Sequence, residues 1–363
     1  MEDWTPARAA VLHGFGAPLA IEQIEVDRPR AGEVAVRLVA SGVCHSDLHT
    51  IDGVFPWPLP AILGHEGAGI VETVGRGVSN VVPGDHVVLT WLPYCGRCRM
   101  CERGRPNLCE DQGWSDSGTM MDGTLRFRGA SGGLHHFTTS SFAERTVVAA
   151  QTCIRVDPSL DLVALSLFGC AVMTGVGAVL NTAELKPGET ACVVGCGGVG
   201  LNVVQGARIA GAGSIVAIDR SPAKRALALE LGATSAIDPS DGEPSEAFPT
   251  GFDHVFEAIG RPATIELATR LVGRGGQLVL IGMAALDATA SYAPLELTLG
   301  ERAIRGSWYG GTVPERDVPL LLDLYRDGHL RLDPIVRRIA LDEINEAFDA
   351  IRTGDAVRSV IVY

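Results

Sequence analysis

At 363 residues the chain is too long for one ordinary core and suits two domains. Its 46% hydrophobic and 20% charged content excludes a disordered chain, and no apolar run approaches the roughly 18 residues that a membrane helix needs. A formal net charge of -13 disfavours nucleic-acid and anionic-membrane partners, since no basic excess exists to displace counterions from phosphates.

The N-terminus carries Glu2, Asp3, Pro6, Gly14 and Gly16 where a secretory signal would need a basic start and an apolar stretch, so a cytoplasmic protein is expected. Short alternating runs follow, Ala20 to Val26 and Glu33 to Val39, broken by Pro18 and by Pro29 to Gly32. Period-two patterning with such breaks predicts antiparallel strands with one buried face. Gly67 to Val88 continues in the same manner, so the first ninety residues read as a small β-barrel or sandwich.

A loop from Cys44 to Glu66 crosses this β-rich region. Cys44 and His65 could be two of three protein ligands to a catalytic zinc, while a buried Cys and a satisfied His would need no metal. Pro56, Pro58 and Pro60 exclude a helix around Trp57 and favour a stiff wall, and a cis peptide at Leu59-Pro60 is possible.

Cys95, Cys98, Cys101 and Cys109 form the strongest local signal. The chain has an odd number of cysteines, nine, and crowding four into one segment favours metal ligation over a disulfide framework. Four thiolates suit a closed tetrahedral structural zinc, with an iron-sulfur cluster as the alternative. Gln112 to Ser141 then reads as a long loop with embedded aromatics. Trp91 and Phe137 read either as pocket lining or dimer contact, or as ordinary core.

Leu162 to Leu180 reads as a helix containing Cys170. Thr190 to Gly195 is a short buried strand, and Gly195-Cys196-Gly197-Gly198-Val199-Gly200 opens the helical run Leu201 to Ala210. The strand Ser214 to Ile218 ends in Asp219, about 20 residues past the glycines, which makes the run a dinucleotide fingerprint. Its glycines permit a tight turn and close approach to a pyrophosphate at the helix N-terminus. Asp219 would accept from ribose hydroxyls and repel a 2′-phosphate, so NAD is favoured over NADP, with Arg220 weakening the preference. Repeated βα units through Ile281 imply a parallel sheet covered on both faces, and a last strand at Val357 to Val362 follows two helical runs.

Collected in order, Gly42 to Asp47, Gly64 to Gly69, the four-cysteine lobe, Gly169-Cys170, the glycine fingerprint and the Arg358 tail make the chain resemble the zinc-dependent alcohol dehydrogenases of the medium-chain dehydrogenase/reductase family over essentially its whole length. The resemblance implies an α/β chain with a Rossmann coenzyme domain, a doubly wound parallel sheet, at 172–311. A β-rich GroES-like catalytic domain with a structural zinc lobe would be split between 1–171 and 312–363. It implies two zinc ions per chain, one catalytic on Cys44, His65 and Cys170 and one structural on the four-cysteine lobe, together with NAD(H). The two-cysteine, one-histidine set is what the resemblance implies, and three protein ligands leave a fourth position for water or substrate.

On the same resemblance, Asp47 orients His65 and Glu66 approaches the metal during ligand exchange. Ser46 and His49 form a proton relay, and His45, Lys224, Arg358, Asp219 and the loop Gly195, Gly197, Gly198, Val199 and Gly200 contact coenzyme. The relatives that oxidise thiol adducts of formaldehyde carry an Arg where Gly113 stands, acidic residues at Val54-Phe55 and a Tyr at His49. An apolar wall of Val54, Phe55, Trp91 and Phe137 should instead take uncharged alcohols. The expected activity is reversible hydride transfer between NAD(H) and an apolar primary or secondary alcohol, aromatic or terpenoid alcohols included. The alternatives are a thiol-adduct (S-hydroxymethyl thiol) formaldehyde dehydrogenase and a non-catalytic zinc- and NAD-binding protein. The long loop resembles that of dimeric members, so a homodimer is expected.

Overall fold

The structure, a computed structural model, describes residues 4–111, 117–354 and 357–363. The chain divides into two compact units. One contains the residues up to Cys170 with Val313–Val318 and Val336–Tyr363, and the other contains Ala171–Thr312 and Pro319–Ile335.

In the first unit, Thr5–Leu12, Ala20–Val26, Phe127–Gly129, Gly132–His136 and Ala61–Ile62 close a barrel. The alternating apolar positions point inward: Leu12, Ile24, Ile62, Phe127 and Phe142 are all but fully buried in one cluster. The stretch read as a long loop is therefore a loop only in part. Phe127–Gly129 and Gly132–His136 form the hairpin that completes the barrel, and Gln112 to Asp116 lie outside the described residues.

What holds that hairpin down is a buried ion network. Arg126, fully buried, donates from Nε and Nη2 to the Glu33 carboxylate at 2.8 and 2.6 Å and from Nη2 to Asp122 at 2.9 Å. Removing one partner of such a buried pair typically costs about 3–5 kcal/mol, because the other charge is left uncompensated. The same Arg126 backbone N–H donates to His136 Nε2 at 3.1 Å. Burial, with the Arg126 charge adding to it, pushes the His136 imidazole down to about 3.

A seven-stranded sheet completes this unit. Glu33–Gly42 is its central strand, paired with Glu66–Val74, with Arg145–Ala149 and with the C-terminal strand Arg358–Val362. The chain end is thus tied into the sheet beside the strand that leads to Cys44.

The second unit holds a six-stranded, all-parallel sheet. Its order is Ser235–Ile237, Ser214–Ile218, Thr190–Val194, Phe252–Glu257, Val272–Leu280 and Ala303–Gly306. This is the doubly wound order, with the first strand central and its C-terminal end at the switch point. Cys192, Val194, Val216, Ile218, Val255 and Leu278 form its core with the helices.

Candidate active site and metal centres

The pairing register of two strands builds the first site. Gly42 faces Glu66 across the antiparallel pair, so Cys44, two residues beyond one strand, meets His65, one residue before the other. Val43 is held on both sides by the C-terminal strand: its N–H donates to Ser359 O at 2.9 Å and its carbonyl accepts from Arg358 Nη1 at 2.9 Å.

The third sulfur arrives through a broken helix. The run expected to be one helix is helical over Leu162–Leu165, tightens to a 3-10 turn over Ser166–Gly169, leaves helical geometry at Cys170 (φ -142, ψ -69) and resumes over Ala171–Gly177. Gly169 makes this approach possible, since a Cβ there would sit 2.4 Å from the Leu89 carbonyl oxygen. Cys44, His65, Glu66 and Cys170 each present a ligand atom within 4.8 Å of the others, all buried. Two thiols, an imidazole and a carboxylate at that separation suit zinc. Both Glu66 oxygens are buried without a hydrogen bond among the described residues, as expected of a group set beside a metal.

One carboxylate organises the ligands. Asp47, fully buried, accepts from the Cys44 N–H at 3.2 Å, from the Gly64 N–H at 3.1 Å and from His65 Nδ1 at 3.0 Å. The last bond fixes the tautomer that leaves Nε2 for a metal. Asp47 can do this because Cys44 to Glu66 is not a plain loop: His45–Ile51 forms two helical turns, and Asp47 returns from the first turn to cap its start. Beyond it the proline-rich wall is non-helical, and Leu59-Pro60 is cis.

Electrostatics follow from this packing. Burial pushes the Glu66 carboxyl up to about 7, against the pull of Arg358, whose Nη2 lies 3.4 Å from Oε1. The Cys44 thiol is held well below its ordinary value, first by the Cys170 hydrogen bond and then, against burial, by Arg358 and His65. Arg358, expected at the coenzyme, is placed with its guanidinium buried against Glu66 and the Val43 carbonyl.

The expected relay residues share the short helix. Ser46 Oγ lies 3.8 Å from Cys44 Sγ, and His49 is three residues on, on the same face. His49 is half-buried between His45 and Phe55, with ring centroids at 4.9 and 5.1 Å. Partial burial, followed by the neighbouring His45, lowers its pKa, so the imidazole is poised as a neutral acceptor. His45 itself is exposed. Trp91 and Phe137 both stand edge-on to the His65 ring, each with a centroid separation of 6.2 Å. Val54 and Phe55 follow the helix, their N–H groups donating to the His49 carbonyl at 2.8 and 3.2 Å. Two surface cavities of about 550 and 370 Å³ contain none of these residues.

The second cluster is the lobe. The sulfurs of Cys95, Cys98, Cys101 and Cys109 all lie within 4.8 Å of one another. Backbone N–H groups aim at them: Cys98 N–H at Cys95 Sγ (3.3 Å), Cys95 N–H at Cys109 Sγ (3.2 Å) and Glu110 N–H at Cys98 Sγ (3.4 Å). The Glu110 and Cys101 backbone donors bring the Cys98 thiol down to about 6. Four sulfurs so arranged fit a closed tetrahedral metal and leave no position for substrate.

In the parallel-sheet unit, the strand Thr190–Val194 turns at Gly195 (φ +95) into the helix Gly198–Ile209. A Cβ on Gly200 would lie 1.8 Å from Gly195 O, while one on Gly197 would meet nothing within 4 Å. The first keeps the turn closed and the second leaves a cradle at the helix N-terminus, with Gly198 and Val199 opening the helix, where a dinucleotide pyrophosphate would fit. Asp219 caps this loop, accepting from Cys196 N–H at 2.7 Å and Ser221 N–H at 2.8 Å. Lys224 lies half-buried in the first turn of the next helix, and its N–H donates to Ser221 Oγ at 3.5 Å.

Sequence reasoning missed two side chains. Trp57 packs its indole on Phe137, and only the prolines beside it pointed to a fixed position. Arg225 pins the end of the Asp219 strand through the carbonyls of Asp219 and Arg220 and the carboxylate of Asp238, a role with no sequence signal. Gly113, where thiol-adduct enzymes carry Arg, lies outside the described residues.

Residues 198–327 match the zinc-binding dehydrogenase family and residues 30–158 match the alcohol dehydrogenase GroES-like domain. The chain is 42% identical to an S-(hydroxymethyl)glutathione dehydrogenase of Escherichia coli, covering 98% of this chain and 100% of that one. Among solved structures it resembles an alcohol dehydrogenase zinc-binding domain protein from Burkholderia ambifaria (TM-score 0.95, 37% identity, 99% of each chain). It also resembles benzyl alcohol dehydrogenase from Acinetobacter calcoaceticus (TM-score 0.93, 33% identity, 99% of each chain).

The two clusters make separable predictions. Cys44→Ser should remove one zinc and abolish activity while NAD still binds, read by metal analysis and coenzyme titration. Cys98→Ser should mainly lower the melting temperature and release the other zinc. Unchanged melting and zinc content in Cys98→Ser would refute the structural assignment.

Proposed function

Because the chain belongs to the zinc-dependent alcohol dehydrogenases of the medium-chain dehydrogenase/reductase family, NAD-dependent oxidoreductases, we propose that Cys44, His65 and Cys170 hold its catalytic zinc, that the four-cysteine lobe holds its structural zinc, and that it oxidises apolar alcohols. The part of the chain running to about residue 171, with 312–363, is assigned the metal chemistry, and 172–311 the coenzyme. Glu66 is the acid that can move toward the metal, and Asp47 the carboxylate that orients His65.

A zinc held by Cys44, His65 and Cys170 would supply Lewis-acid chemistry, easing loss of an alcohol hydroxyl proton ahead of hydride transfer to nicotinamide. The remaining work falls to the chain. The Cys44 and Cys170 thiolates would offset the charge of a metal held there, so that product would not be trapped. Ser46 receives the hydroxyl proton, and neutral His49, on the same helical face, is the base at the end of that path. The Gly195 to Gly200 turn, with Asp219 at the ribose, positions the coenzyme, and Asp219 disfavours a 2′-phosphate. Lys224, His45 and Arg358 are assigned to the coenzyme on the family's pattern, Arg358 while also neutralising Glu66.

The observation that carries the substrate reading is the aromatic enclosure: Trp91 and Phe137 flank His65, and Phe55 lies on His49. Together with Val54 these present apolar surface, and none of these four side chains is an anion receptor. A second reading is an S-hydroxymethyl thiol dehydrogenase. The name of the 42%-identical relative favours it more strongly than the apolar reading. A panel of alcohols and aldehydes assayed with NAD(H) and NADP(H), with and without a low-molecular-weight thiol, separates the two. The apolar reading expects NADH formation from benzyl and longer aliphatic alcohols without thiol. Formaldehyde oxidation only in the presence of a thiol, with no turnover of benzyl alcohol, would select the second.

A cytoplasmic homodimer is proposed with this activity. Leu286, Tyr292, Leu295 and Leu299 are 54–76% exposed around the helix Pro294–Gly300, beside the edge strand Ala303–Gly306. Such a patch with an open strand edge suits a second copy. Sedimentation equilibrium of protein from the soluble fraction should give about twice 38.2 kDa. A monomer, or recovery with the membrane fraction, would contradict this.

A further inference from the structure

We propose that Trp57 is a positioning residue for substrate selection: its indole fixes the Phe137 ring beside His65, and the fixed ring favours flat aromatic alcohols over straight-chain ones. The proposal rests on the apolar-alcohol reading and narrows its substrate class.

Trp57 is mounted rigidly. Pro56 and Pro58 stand on either side of it, one fixing its own φ and the other disfavouring helical backbone at Trp57. The indole N–H donates to the His136 carbonyl at 2.7 Å, the carbonyl of the peptide that leads into Phe137. The indole ring then stands edge-on to the Phe137 ring, with centroids 4.9 Å apart and planes at 76°. Both rings pack on the barrel core.

Phe137 is thereby constrained at backbone and ring together. Its N–H donates to Ser140 Oγ at 3.0 Å, its preceding carbonyl is held by Trp57, and its ring packs edge-on against the indole. The same ring also meets the His65 imidazole, with centroids 6.2 Å apart and planes at 70°. Trp91 faces the same imidazole at 79°.

A ring with a fixed plane discriminates by shape. A planar substrate gains edge-to-face contact only if the wall holds its orientation, whereas a flexible alkyl chain adapts to either arrangement. Aromatic pairs differ from plain apolar contact by about two- to tenfold in binding. Removing the indole would release Phe137 and erase that difference while leaving the metal ligands and the Ser46 to His49 path untouched.

The test measures kcat/KM for benzyl alcohol and for hexan-1-ol, with NAD and zinc-loaded protein, in wild type, Trp57→Phe and Trp57→Leu. The benzyl-to-hexanol ratio should fall about tenfold in Trp57→Leu and about threefold in Trp57→Phe, which keeps a ring but loses the N–H donor. A merely structural role would lower both substrates together, and an unchanged ratio in active variants would overturn the proposal. If Trp57→Leu does not fold, the ratio in Trp57→Phe decides. Wild-type protein inactive on both alcohols and active only on thiol adducts would overturn the apolar reading and this proposal with it, whereas active wild type with an unchanged ratio overturns this proposal alone.

Discussion

The site depends on one buried carboxylate in a fixed place. Asp47 accepts from the backbone on the Cys44 side and from both backbone and imidazole on the Gly64 to His65 side, so two proposed ligands far apart in sequence are tied through one side chain. This works only because the strands Glu33–Gly42 and Glu66–Val74 pair in a register that brings Gly42 opposite Glu66. A slip of one residue would turn every side chain of one strand to the other face and separate the sulfur from the imidazole. The C-terminal strand, bonded to both sides of Val43, locks that register from outside.

The two proposed metal clusters differ in their surroundings, and the surroundings separate their proposed roles. The lobe collects four sulfurs, partly exposed and fed by backbone N–H groups, which completes a coordination shell. The other cluster supplies two sulfurs and one imidazole in a buried setting, with Arg358 Nη2 3.4 Å from Glu66 Oε1 and no hydrogen bond to either Glu66 oxygen among the described residues. A shell that is incomplete and enclosed can admit a substrate oxygen. Burial also raises the Glu66 carboxyl toward neutral pH and lowers the pKa of the His49 imidazole, so near neutrality Glu66 is set to change charge while His49 stays a neutral acceptor.

Much of the fold was legible because its signals are local. The period-two runs became strands, and the glycine turn between Val194 and the helix at Gly198 formed where the spacing placed it. The doubly wound sheet followed from repeated βα units. Less legible were features created by tertiary packing. Leu162 to Leu180 has the composition of one helix, and nothing local predicts that Gly169 and Cys170 break it to approach the Leu89 strand. Phe127 to His136 is too rich in glycine and histidine to read as strand. It pairs because the barrel needs closing and because Arg126 is drawn into the core by Glu33, a partner far away in sequence. The helix His45–Ile51 is too short to show in the pattern; its N-cap is Cys44, whose N–H is held by the Asp47 side chain that also bonds His65. Trp57 carried no signal for its contact with Phe137, because that contact joins the proline wall to the barrel hairpin.

The central claim is that Cys44, His65 and Cys170 converge on one zinc while the four lobe cysteines hold another. X-ray absorption at the zinc edge of the purified protein, combined with metal analysis, tests it directly. The account predicts two zinc ions per chain with an average of about three sulfurs each and clear imidazole scattering, since six thiolates and one histidine would be shared between two ions. One zinc per chain with four sulfurs and no imidazole would contradict it.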